Sequence, residues 1–263
     1  MNILDRIVAE KRKEIAAHQL QQSLAGLEQM PGFQRKPFSL KKRLAEAEVG
    51  IIAEFKRRSP SKGDIFGDAR IQYIIPGYAA AGASGISVLT DAPFFGGQLS
   101  DLQEASQLVD TPLLRKDFIV DPYQLYQARA YGASVVLLIA ECLEAKEVQS
   151  LAKTAKSLGL EVLFEVHSAK QLEKLTPDID LVGVNNRNLK TFEVSLQTSI
   201  DLFPLIPSDM LAVAESGISK PEALDQLRAA GFRGFLIGEH FMRFEDPGKA
   251  CADFMNACKA LIA

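Results

Sequence analysis

The chain has 263 residues, 47% of them hydrophobic and 24% charged, so it carries enough apolar material for the core of one large α/β domain. Its 33 acidic residues outnumber its 30 basic residues, and the formal net charge of -3 lacks the basic excess that drives binding to a phosphate backbone. No apolar run approaches the roughly 20 residues of a membrane span. We therefore expect a cytoplasmic protein that binds neither nucleic acid nor membranes.

The cysteines and histidines give no sign of a metal site. The three cysteines, Cys142, Cys251 and Cys258, are odd in number and widely spaced, and none has a second Cys or a His close enough to hold zinc tetrahedrally. The three histidines are scattered in the same way. We expect buried, reduced thiols and no metal.

Eight short apolar runs recur along the chain, with the length and composition of buried β-strands. Successive runs begin 21 to 34 residues apart, which leaves room for one helix and two loops between neighbours. The runs begin at Ile51, Gly85, Pro112, Ser134, Leu160, Leu181, Leu211 and Gly234.

The intervals between these runs carry helical patterns. One follows the helix-starting pair Asp121-Pro122 and covers Tyr123 to Tyr131, and others cover 144–158 and 221–230, each ending before a glycine. Strands that alternate with helices pair in parallel, because each crossover returns the chain to the same end of the sheet. The count of eight favours a closed (β/α)8 barrel, the TIM barrel, and an open doubly wound sheet is the alternative.

About 48 residues precede the first strand. We interpret residues 1–48 as a helical extension that packs on a catalytic barrel of residues 49–263. The extension holds an amphipathic helix from Ile3 to Leu20, a Gln-rich linker and a second helix from Ser39 to Ala47. Its segment PGFQRKPFSLKKRL is basic with interleaved aromatic residues. Two interpretations of this segment stay open: it caps one barrel mouth and assists an acidic substrate, or it only packs against the barrel.

Polar side chains interrupt the strands near their carboxyl ends, where parallel strands buried on both faces should be almost purely apolar. Glu54 and Lys56 lie two residues apart in the first strand and therefore share a face. Comparable residues end four more strands: Lys116 in the third, Glu165 and His167 in the fifth, Asn185, Asn186 and Arg187 in the sixth, and Glu215, Ser216 and Gly217 in the seventh. This pattern favours an active site at the carboxyl-terminal barrel mouth over a structural layer of ion pairs, which gives little net stability.

The types of residue at these strand ends indicate acid–base chemistry on a phosphorylated compound. Two ammonium groups and three carboxylates in one pocket shift one another's proton affinities, as general acids and bases require. Glycine turns follow the seventh and eighth strands, at Gly217 and Gly238, where barrel loops commonly bind phosphate through backbone N–H groups. The segment KRRSPSKG, from Lys56 to Gly63, adds four cations that are further candidates for contact with phosphate or carboxylate.

Seven motifs of the chain resemble the indole-3-glycerol-phosphate synthase family of tryptophan biosynthesis, which belongs to the ribulose-phosphate-binding barrels. In chain order the motifs are IIAEFKRRSPSKG, VLTDAPFFGG, LLRKDFIVDPYQ, LFEVH, GVNNRNL, VAESGI and FLIGEHFMR. The resemblance covers nearly the whole chain, and seven motifs in the family's order are highly specific. It implies a TIM barrel and a carbon–carbon lyase, a carboxy-lyase, that needs no cofactor or metal.

The resemblance also assigns functional residues where the motifs match. It implies catalytic roles for Glu54, Lys56, Lys116, Glu165, Asn185 and Glu215, and substrate contacts for Ser59, Phe118, Arg187, Ser216, Gly217 and Gly238. The chain departs from the family's pattern at Glu239: relatives often have a serine at or just after this position, whereas this chain reads Gly-Glu-His. A hydroxyl contact to phosphate is therefore in doubt in the eighth loop, although backbone N–H groups remain.

By the same resemblance, the substrate is 1-(2-carboxyphenylamino)-1-deoxyribulose 5-phosphate, and the products are indole-3-glycerol phosphate, carbon dioxide and water. The aromatic carbon that bears the carboxylate attacks the ribulose carbonyl, so we expect Lys116 to protonate that oxygen. Glu165 is expected to act as acid or base in the dehydration, with Glu54 and Lys56 as the other candidates for proton transfer. Glu215 and Asn185 are expected to orient the substrate.

Two other functions remain open from the sequence. Other phosphate-binding barrels, such as phosphoribosylanthranilate isomerase or the isomerase and cyclase of the histidine pathway, rely on a Cys and an Asp or on paired Asp residues, whereas the first strand here offers Glu54 and Lys56. A non-catalytic barrel is disfavoured by acid–base groups on five strands. The surface helices show no decisive apolar seam, so we expect a monomer or a weak homo-oligomer that binds a phosphorylated small molecule.

Overall fold

Eight parallel strands close into a barrel in the computed structural model, which describes residues 3–189 and 191–262. Each strand pairs in parallel with the next along the chain, and the last pairs with the first. The strands are β1 Ile51–Phe55, β2 Gly85–Leu89, β3 Leu113–Lys116, β4 Val135–Ile139, β5 Glu161–Val166, β6 Leu181–Asn185, β7 Leu211–Glu215 and β8 Gly234–Ile237. The predicted (β/α)8 barrel is confirmed, and closure of the sheet excludes the open doubly wound alternative.

Helices precede the barrel, cross over between its strands and follow the last strand. Before β1 lie α1 Ile3–Gln21, α2 Leu24–Glu28, α3 Pro31–Gln34 and α4 Leu40–Glu46. Between β1 and β8 lie α5 Ile71–Ala80, α6 Ala92–Phe95, α7 Leu99–Leu108, α8 Pro122–Ala130, α9 Ala145–Ser157, α10 Ala169–Leu172, α11 Gln197–Leu202 and α12 Pro221–Ala230, and after β8 lie α13 Glu239–Met242 and α14 Pro247–Ile262. A two-stranded hairpin pairs Arg58–Ser59 with Gly63–Asp64, and 3-10 turns cover Ala140–Cys142 and Phe203–Leu205.

Local sequence signals set the ends of the crossover helices. Asp121 caps α8 by accepting a hydrogen bond from the N–H of Tyr123, and Pro122 occupies the first turn. Gly231 follows α12 with a φ of 117°, a left-handed conformation that glycine adopts without steric penalty. The helices predicted over 123–131, 144–158 and 221–230 are present, with ends that differ by at most one residue.

The Gln-rich stretch after α1 is helical, so its interpretation as a linker is wrong. Ser23 Oγ accepts a hydrogen bond from the N–H of Gly26 and caps α2, and Pro31 lies in the first turn of α3. Leu27 of α2 is completely buried, and both short helices contact α8. Local caps and one buried apolar side chain are therefore enough to fold this stretch, because α8 supplies the surface on which it packs.

The helix α4 closes the amino-terminal end of the barrel. Leu40 and Leu44 are completely buried and belong to one apolar cluster with side chains of the barrel interior. A Cβ atom added to Gly85, at the start of β2, would lie 2.5 Å from Leu40 Cδ1, and one added to Gly234, at the start of β8, would lie 3.1 Å from Leu44 Cδ1. Glycine at these strand starts therefore leaves the space that the two leucines fill.

A carboxylate at the start of β5 fixes α4 in this place. Glu161 accepts hydrogen bonds from the backbone N–H groups of Leu40, at 2.8 Å, and Lys41, at 3.0 Å. These N–H groups belong to the first turn, where they have no partner within the helix and the helix dipole favours a negative charge. The contact therefore satisfies groups that would otherwise be buried without a partner.

The basic segment PGFQRKPFSLKKRL lies at this same amino-terminal end. Arg35 forms an ion pair with Asp110 at 3.0 Å, and Arg43 donates a hydrogen bond to the carbonyl oxygen of Asp110, which lies just before β3. The segment is thus at the opposite end of the barrel from the polar strand ends. The interpretation that it assists an acidic substrate is wrong, because these cations hold the extension against the barrel.

Replacement of Leu44 by Ala tests the role of α4. We expect Leu44→Ala to lower the free energy of unfolding by about 2 to 5 kcal/mol, because a completely buried leucine is lost and a cavity remains. We expect the KM to stay unchanged, because Leu44 lies at the barrel end away from the polar cavity. Leu20→Ala is the control, since Leu20 is 91% exposed. Urea denaturation that finds both variants equally stable would contradict a plugging role for α4.

Candidate active site

A cavity of about 640 Å³ opens among the carboxyl ends of the strands. Its walls contain all twelve residues that the motifs assigned: Glu54, Lys56, Ser59, Lys116, Phe118, Glu165, Asn185, Arg187, Glu215, Ser216, Gly217 and Gly238. The barrel therefore brings together residues that are distant in the sequence, as the polar strand ends predicted.

Four of these residues form one charged layer across the barrel. Glu54, Lys116, Glu165 and Glu215 lie on β1, β3, β5 and β7. Two positions earlier, the same strands contribute completely buried apolar residues of one cluster, Ile52, Leu114, Leu163 and Val213. Alternate strands supply the side chains of each layer in such barrels, and successive inward positions are two residues apart. The charged layer therefore rests on an apolar one and faces the cavity.

Lys116 lies between two carboxylates of this layer. Its Nζ atom donates hydrogen bonds to Oε2 of Glu165, at 2.7 Å, and to Oε2 of Glu215, at 2.6 Å. Burial alone would lower the pKa of Lys116, but the surrounding carboxylates, Glu165 first and then Glu215 and Glu54, raise it above its ordinary value. Lys116 is therefore an ammonium group at neutral pH and holds a proton within the cavity.

The two carboxyls that share Lys116 differ in proton affinity. Burial would raise the pKa of Glu165, but the charge of Lys116 and a hydrogen bond from Asn185 help to lower it to about 2. Burial raises the pKa of Glu215 to about 8, because the attraction of Lys116 is opposed by repulsion from Glu165. One ammonium cannot neutralise two buried carboxylates, so their titrations are coupled. Glu165 is thus ionised at neutral pH, whereas Glu215 retains a proton.

A second ion pair lies on β1 and just after it. Lys56 Nζ donates to Glu54 Oε1 at 2.6 Å, and the hydroxyl of Ser87 lies 3.5 Å from the other oxygen of Glu54. The Glu54 side chain is almost completely buried, whereas that of Lys56 is 16% exposed. The cavity therefore contains two lysine–carboxylate units on different strands, and each has a proton donor beside a proton acceptor.

Asn185 orients the ionised carboxylate. Its Nδ2 group donates to Glu165 Oε1 at 3.1 Å, while its Oδ1 atom accepts a hydrogen bond from the backbone N–H of Arg187 at 3.0 Å. The His167 Nε2 atom lies 3.5 Å from the same oxygen of Glu165. Both oxygens of Glu165 are therefore occupied, and the side chain has little freedom to turn.

The turn after β7 has an uncommon backbone conformation. Ser216 and Gly217 have φ values of 69° and 80°, in the left-handed region, which a residue with a Cβ atom adopts only at a cost. A Cβ atom on Gly217 would also lie 2.5 Å from Val194 Cγ1. The carbonyl oxygen of Ser216 accepts a hydrogen bond from Asn186 at 3.1 Å, which holds the turn. The cavity wall therefore includes a turn that stores backbone strain.

The cations of the segment KRRSPSKG divide between the cavity and the scaffold. Lys56 and Lys62 line the cavity. Arg57 instead pairs with Asp101, and Arg58 donates to backbone carbonyl oxygens of α6. The two lysines are therefore the cations of this segment at the cavity wall, whereas Arg57 and Arg58 contact the scaffold and are not among the residues that line the cavity.

Glu239, at the departure from the family's pattern, bridges two cations at the cavity rim. Its carboxylate lies 3.5 Å from Arg187 Nη2 and 3.6 Å from Lys62 Nζ. The Glu239 side chain is 43% exposed, so these contacts are weak surface ion pairs. The two cations come from the loops after β6 and β1. Glu239 therefore brings cations from two separate loops within 4 Å of one carboxylate at the rim.

Aromatic and aliphatic side chains form the apolar part of the cavity wall. The rings of Phe95 and Phe118 have centroids 6.0 Å apart with a tilt of 38°, and both line the cavity. Three apolar residues of α1, Ile3, Leu4 and Ile7, line it as well. The cavity therefore has an apolar region next to the charged layer, suited to a flat hydrophobic group.

Within residues 3–189 and 191–262, no group of three His, Cys, Asp or Glu side chains is arranged to hold a metal ion. No helix in this part of the chain is long and apolar enough to cross a membrane.

Comparisons with known proteins agree with this geometry. A family model for indole-3-glycerol phosphate synthase matches residues 4–254. The chain is 51% identical over 259 residues to the indole-3-glycerol phosphate synthase of Bacteroides thetaiotaomicron, a match that covers 97% of this chain and 98% of that protein. It is 46% identical over 260 residues to that of Variovorax paradoxus, with 95% and 98% covered.

The chain belongs to the indole-3-glycerol phosphate synthase family. The recognition made from seven motifs is therefore confirmed, and the chain is a member of a family of enzymes rather than of binding proteins.

The fold is similar to that of barrels outside the indole-3-glycerol phosphate synthase family as well. The TM-score is 0.65 against 3-hexulose-6-phosphate synthase from Salmonella typhimurium, with 12% identity and coverage of 81% of this chain and 99% of that one. It is 0.61 against tryptophan synthase subunit alpha from Legionella pneumophila, with 13% identity and coverage of 85% and 97%. At such low identity the likeness shows the barrel alone.

Several residues of the site in this family member were not singled out from the sequence. Phe95 lies in the motif VLTDAPFFGG, and that motif was the only signal for it. Nothing in the local pattern of α1 marks Ile3, Leu4 and Ile7 as cavity residues, because an amphipathic helix does not reveal what its apolar face will cover.

Proposed function

We propose that the chain catalyses the ring closure, decarboxylation and dehydration of 1-(2-carboxyphenylamino)-1-deoxyribulose 5-phosphate. The products are indole-3-glycerol phosphate, carbon dioxide and water, in a step of tryptophan biosynthesis. The observation that carries this proposal is the position of Lys116, a protonated ammonium between two carboxyls at the floor of a cavity with an aromatic wall and a cationic rim. That combination matches a substrate with an aromatic end, a carbonyl in the middle and a phosphate at the other end.

The phosphate end of the substrate is proposed to bind at the rim. Arg187 and Lys62 supply positive charge there, and the strained turn at Ser216 and Gly217 lines the same cavity. Gly238 lines the same cavity. A side chain does not fit at this position, because a Cβ atom would lie 2.5 Å from Oε1 of Glu54. Ser59 adds a hydroxyl to the same cavity.

The carboxyphenyl end is proposed to bind against Phe95 and Phe118. Offset or tilted aromatic pairs such as this one accept a third ring by stacking. Binding at both ends folds the flexible substrate so that its aromatic carbon approaches the ribulose carbonyl. Much of the rate enhancement is expected to come from this alignment.

The ring closure needs a proton for the carbonyl oxygen. As the aromatic carbon forms its bond to the ribulose carbon, the two electrons of the carbonyl π bond move to oxygen, and Lys116 donates its proton there. The raised pKa keeps Lys116 protonated until negative charge develops on that oxygen. Carbon dioxide then leaves from the ring carbon that formed the new bond, and the electrons of the broken carbon–carboxylate bond restore aromaticity.

The dehydration needs a proton donated to the leaving hydroxyl and another removed from the new ring. Glu165 is ionised and held by Asn185, which suits it to remove a proton as the base. The second ion pair, Glu54 with Lys56, is proposed to supply the proton to the departing hydroxyl. Glu215 and Asn185 are proposed to orient the substrate amine and hydroxyls.

We further infer the setting of the enzyme. We propose an enzyme of the cytoplasm that is a monomer or weak homo-oligomer. The net charge of -3 supports the proposal that it binds no nucleic acid. We also propose that residues 1–48 act as an extension on a barrel of residues 49–263. The contacts of α4 with one end of the barrel and of α1 with the cavity support that division.

A Lys116→Met variant tests the proposed acid. Wild-type protein should convert the substrate with a rise in indole fluorescence, and the variant should lose about 100- to 10,000-fold in kcat, the usual cost of removing a general acid. Methionine keeps most of the apolar volume of the lysine stem, so the fold should survive. Affinity for a reduced analogue, whose carbonyl is a hydroxyl and which cannot cyclise, should change by less than about tenfold, or roughly 1.4 kcal/mol.

The opposite result would reassign the residue. If kcat stays near the wild-type value and only the affinity for the analogue collapses, Lys116 binds an anion and Lys56 becomes the leading acid. If the wild-type protein converts no substrate, the proposed function is wrong, and isomerase activity on a phosphoribosylated amine is the alternative to assay.

A second prediction concerns the phosphate end. Inorganic phosphate should compete with the substrate, and Glu239→Gln should lower its inhibition constant about two- to fivefold, since a surface ion pair of at most about 1 kcal/mol no longer competes for Arg187 and Lys62. Glu245→Gln is the matched control, because it makes the same change of charge at an exposed residue outside the cavity. Equal inhibition constants for both variants at constant ionic strength would show that phosphate does not bind at this rim.

A further inference from the structure

A lysine of α1 is buried beside the cavity among three carboxylates. The Lys11 side chain is 1% exposed, and its Nζ atom lies 3.0 Å from Asp117 Oδ1, 3.1 Å from Asp91 Oδ2 and 3.0 Å from Glu14 Oε2. Burial alone would lower the pKa of Lys11, but these carboxylates, Asp117 first, raise it above its ordinary value. A buried ammonium is expensive to desolvate, so its presence here calls for a reason beyond stability.

Each of two aspartates that Lys11 contacts fixes the backbone next to one ring of the aromatic wall. Asp91 caps α6, the helix that ends in Phe95, by accepting a hydrogen bond from the N–H of Phe94 at 2.9 Å. Asp117 accepts a hydrogen bond from the N–H of Phe118 at 2.8 Å. Both aspartates are almost completely buried. A carboxylate that contacts Lys11 therefore binds the backbone at Phe118 itself and at Phe94, the residue before Phe95.

The two aspartates belong to different loops, after β2 and after β3. Lys11 joins these loops through a single ammonium group on a third element, α1. Asp117 also pairs with Arg115 at 3.1 Å and accepts a hydrogen bond from Thr90. Asp117 therefore keeps other partners without Lys11, and the loss of Lys11 acts mainly on Asp91, on α6 and hence on the position of Phe95.

We propose that Lys11 is a positioning residue that sets the distance between Phe95 and Phe118, so that the amino-terminal helix controls recognition of the aromatic end of the substrate. The inference rests on the proposed function, because it assumes that this wall binds the carboxyphenyl ring. It adds a residue outside the barrel to the determinants of specificity. Lys11 is proposed to act without touching the substrate, mainly through Asp91 and α6.

Substitution of Lys11 separates positioning from simple structural support. Misplacement of a binding group can cost up to about 100-fold, and we expect Lys11→Met to raise the KM for the substrate about tenfold. The inhibition constant of inorganic phosphate should stay within about twofold of the wild-type value, because the rim is unaffected. Lys11→Arg keeps the positive charge and should recover most of the lost affinity. Lys13→Met is the control, because Lys13 lies on the same helix but is 75% exposed.

A second variant keeps the proposal testable if Lys11→Met does not fold. Asp91→Asn retains a side chain that caps α6 but removes the negative charge that holds Lys11. It should show the same split, with a raised KM for the substrate and an unchanged inhibition constant for phosphate. Circular dichroism and thermal unfolding establish that each assayed variant is folded at the assay temperature.

The outcomes distinguish this inference from the proposed function. An unchanged KM in the folded variants, or equal rises in the KM and in the phosphate inhibition constant, would overturn the role of Lys11 while the proposed function stands. A wild-type protein that converts no substrate would contradict the proposed function and the inference with it. A raised KM with normal phosphate inhibition and recovery in Lys11→Arg supports the positioning role.

Discussion

One ammonium group, that of Lys116, is shared by two buried carboxyls at the floor of the barrel mouth. Taken together with the Lys56–Glu54 pair, this cluster contains three carboxyls, Glu54, Glu165 and Glu215, and two ammonium groups. Full ionisation would leave one negative charge unmatched in a place from which water is largely removed. Retention of one proton relieves this excess, and burial together with repulsion directs that proton to Glu215. At neutral pH the site thus contains an ammonium group, an ionised carboxylate and a neutral carboxyl.

The barrel makes this arrangement possible at a limited cost in stability. The same four strands place apolar residues two positions below the charged layer, so the interior beneath it is a packed hydrophobic core. Replacement of buried ion pairs by apolar side chains often stabilises a protein, so the charged layer is not explained by a gain in stability. At the other end of the barrel, Leu40 and Leu44 of α4 complete the core. The packed apolar layer therefore lies toward the amino-terminal end of the barrel and the charged layer toward the carboxyl-terminal end.

The sequence predicted those parts of the molecule that depend on local periodicity. Apolar runs of strand length recur with helical intervals, and the two-residue period identifies Glu54 and Lys56 as neighbours on one face. All twelve assigned residues line one cavity because strand ends in a parallel barrel converge. Parts that depend on long-range contacts were not predictable in this way. The fold of the Gln-rich stretch depends on the surface of α8, and the contacts of Lys11 with Asp91 and Asp117 depend on how α1 lies across two loops.

The sharing of Lys116 by two carboxyls is tested most directly by an infrared titration of protein labelled with ¹³C at its glutamate carboxyls. Because the pKa of Glu215 is raised to about 8, its carboxyl is neutral below that pH and ionises as the pH rises through it. We expect a C=O band of a protonated carboxyl at neutral pH, which is well above the ordinary glutamate pKa of about 4.3. The band should disappear with a midpoint near pH 8 and be absent from Glu215→Gln. A wild-type spectrum with every glutamate ionised at neutral pH, or a band that persists in Glu215→Gln, would contradict this expectation.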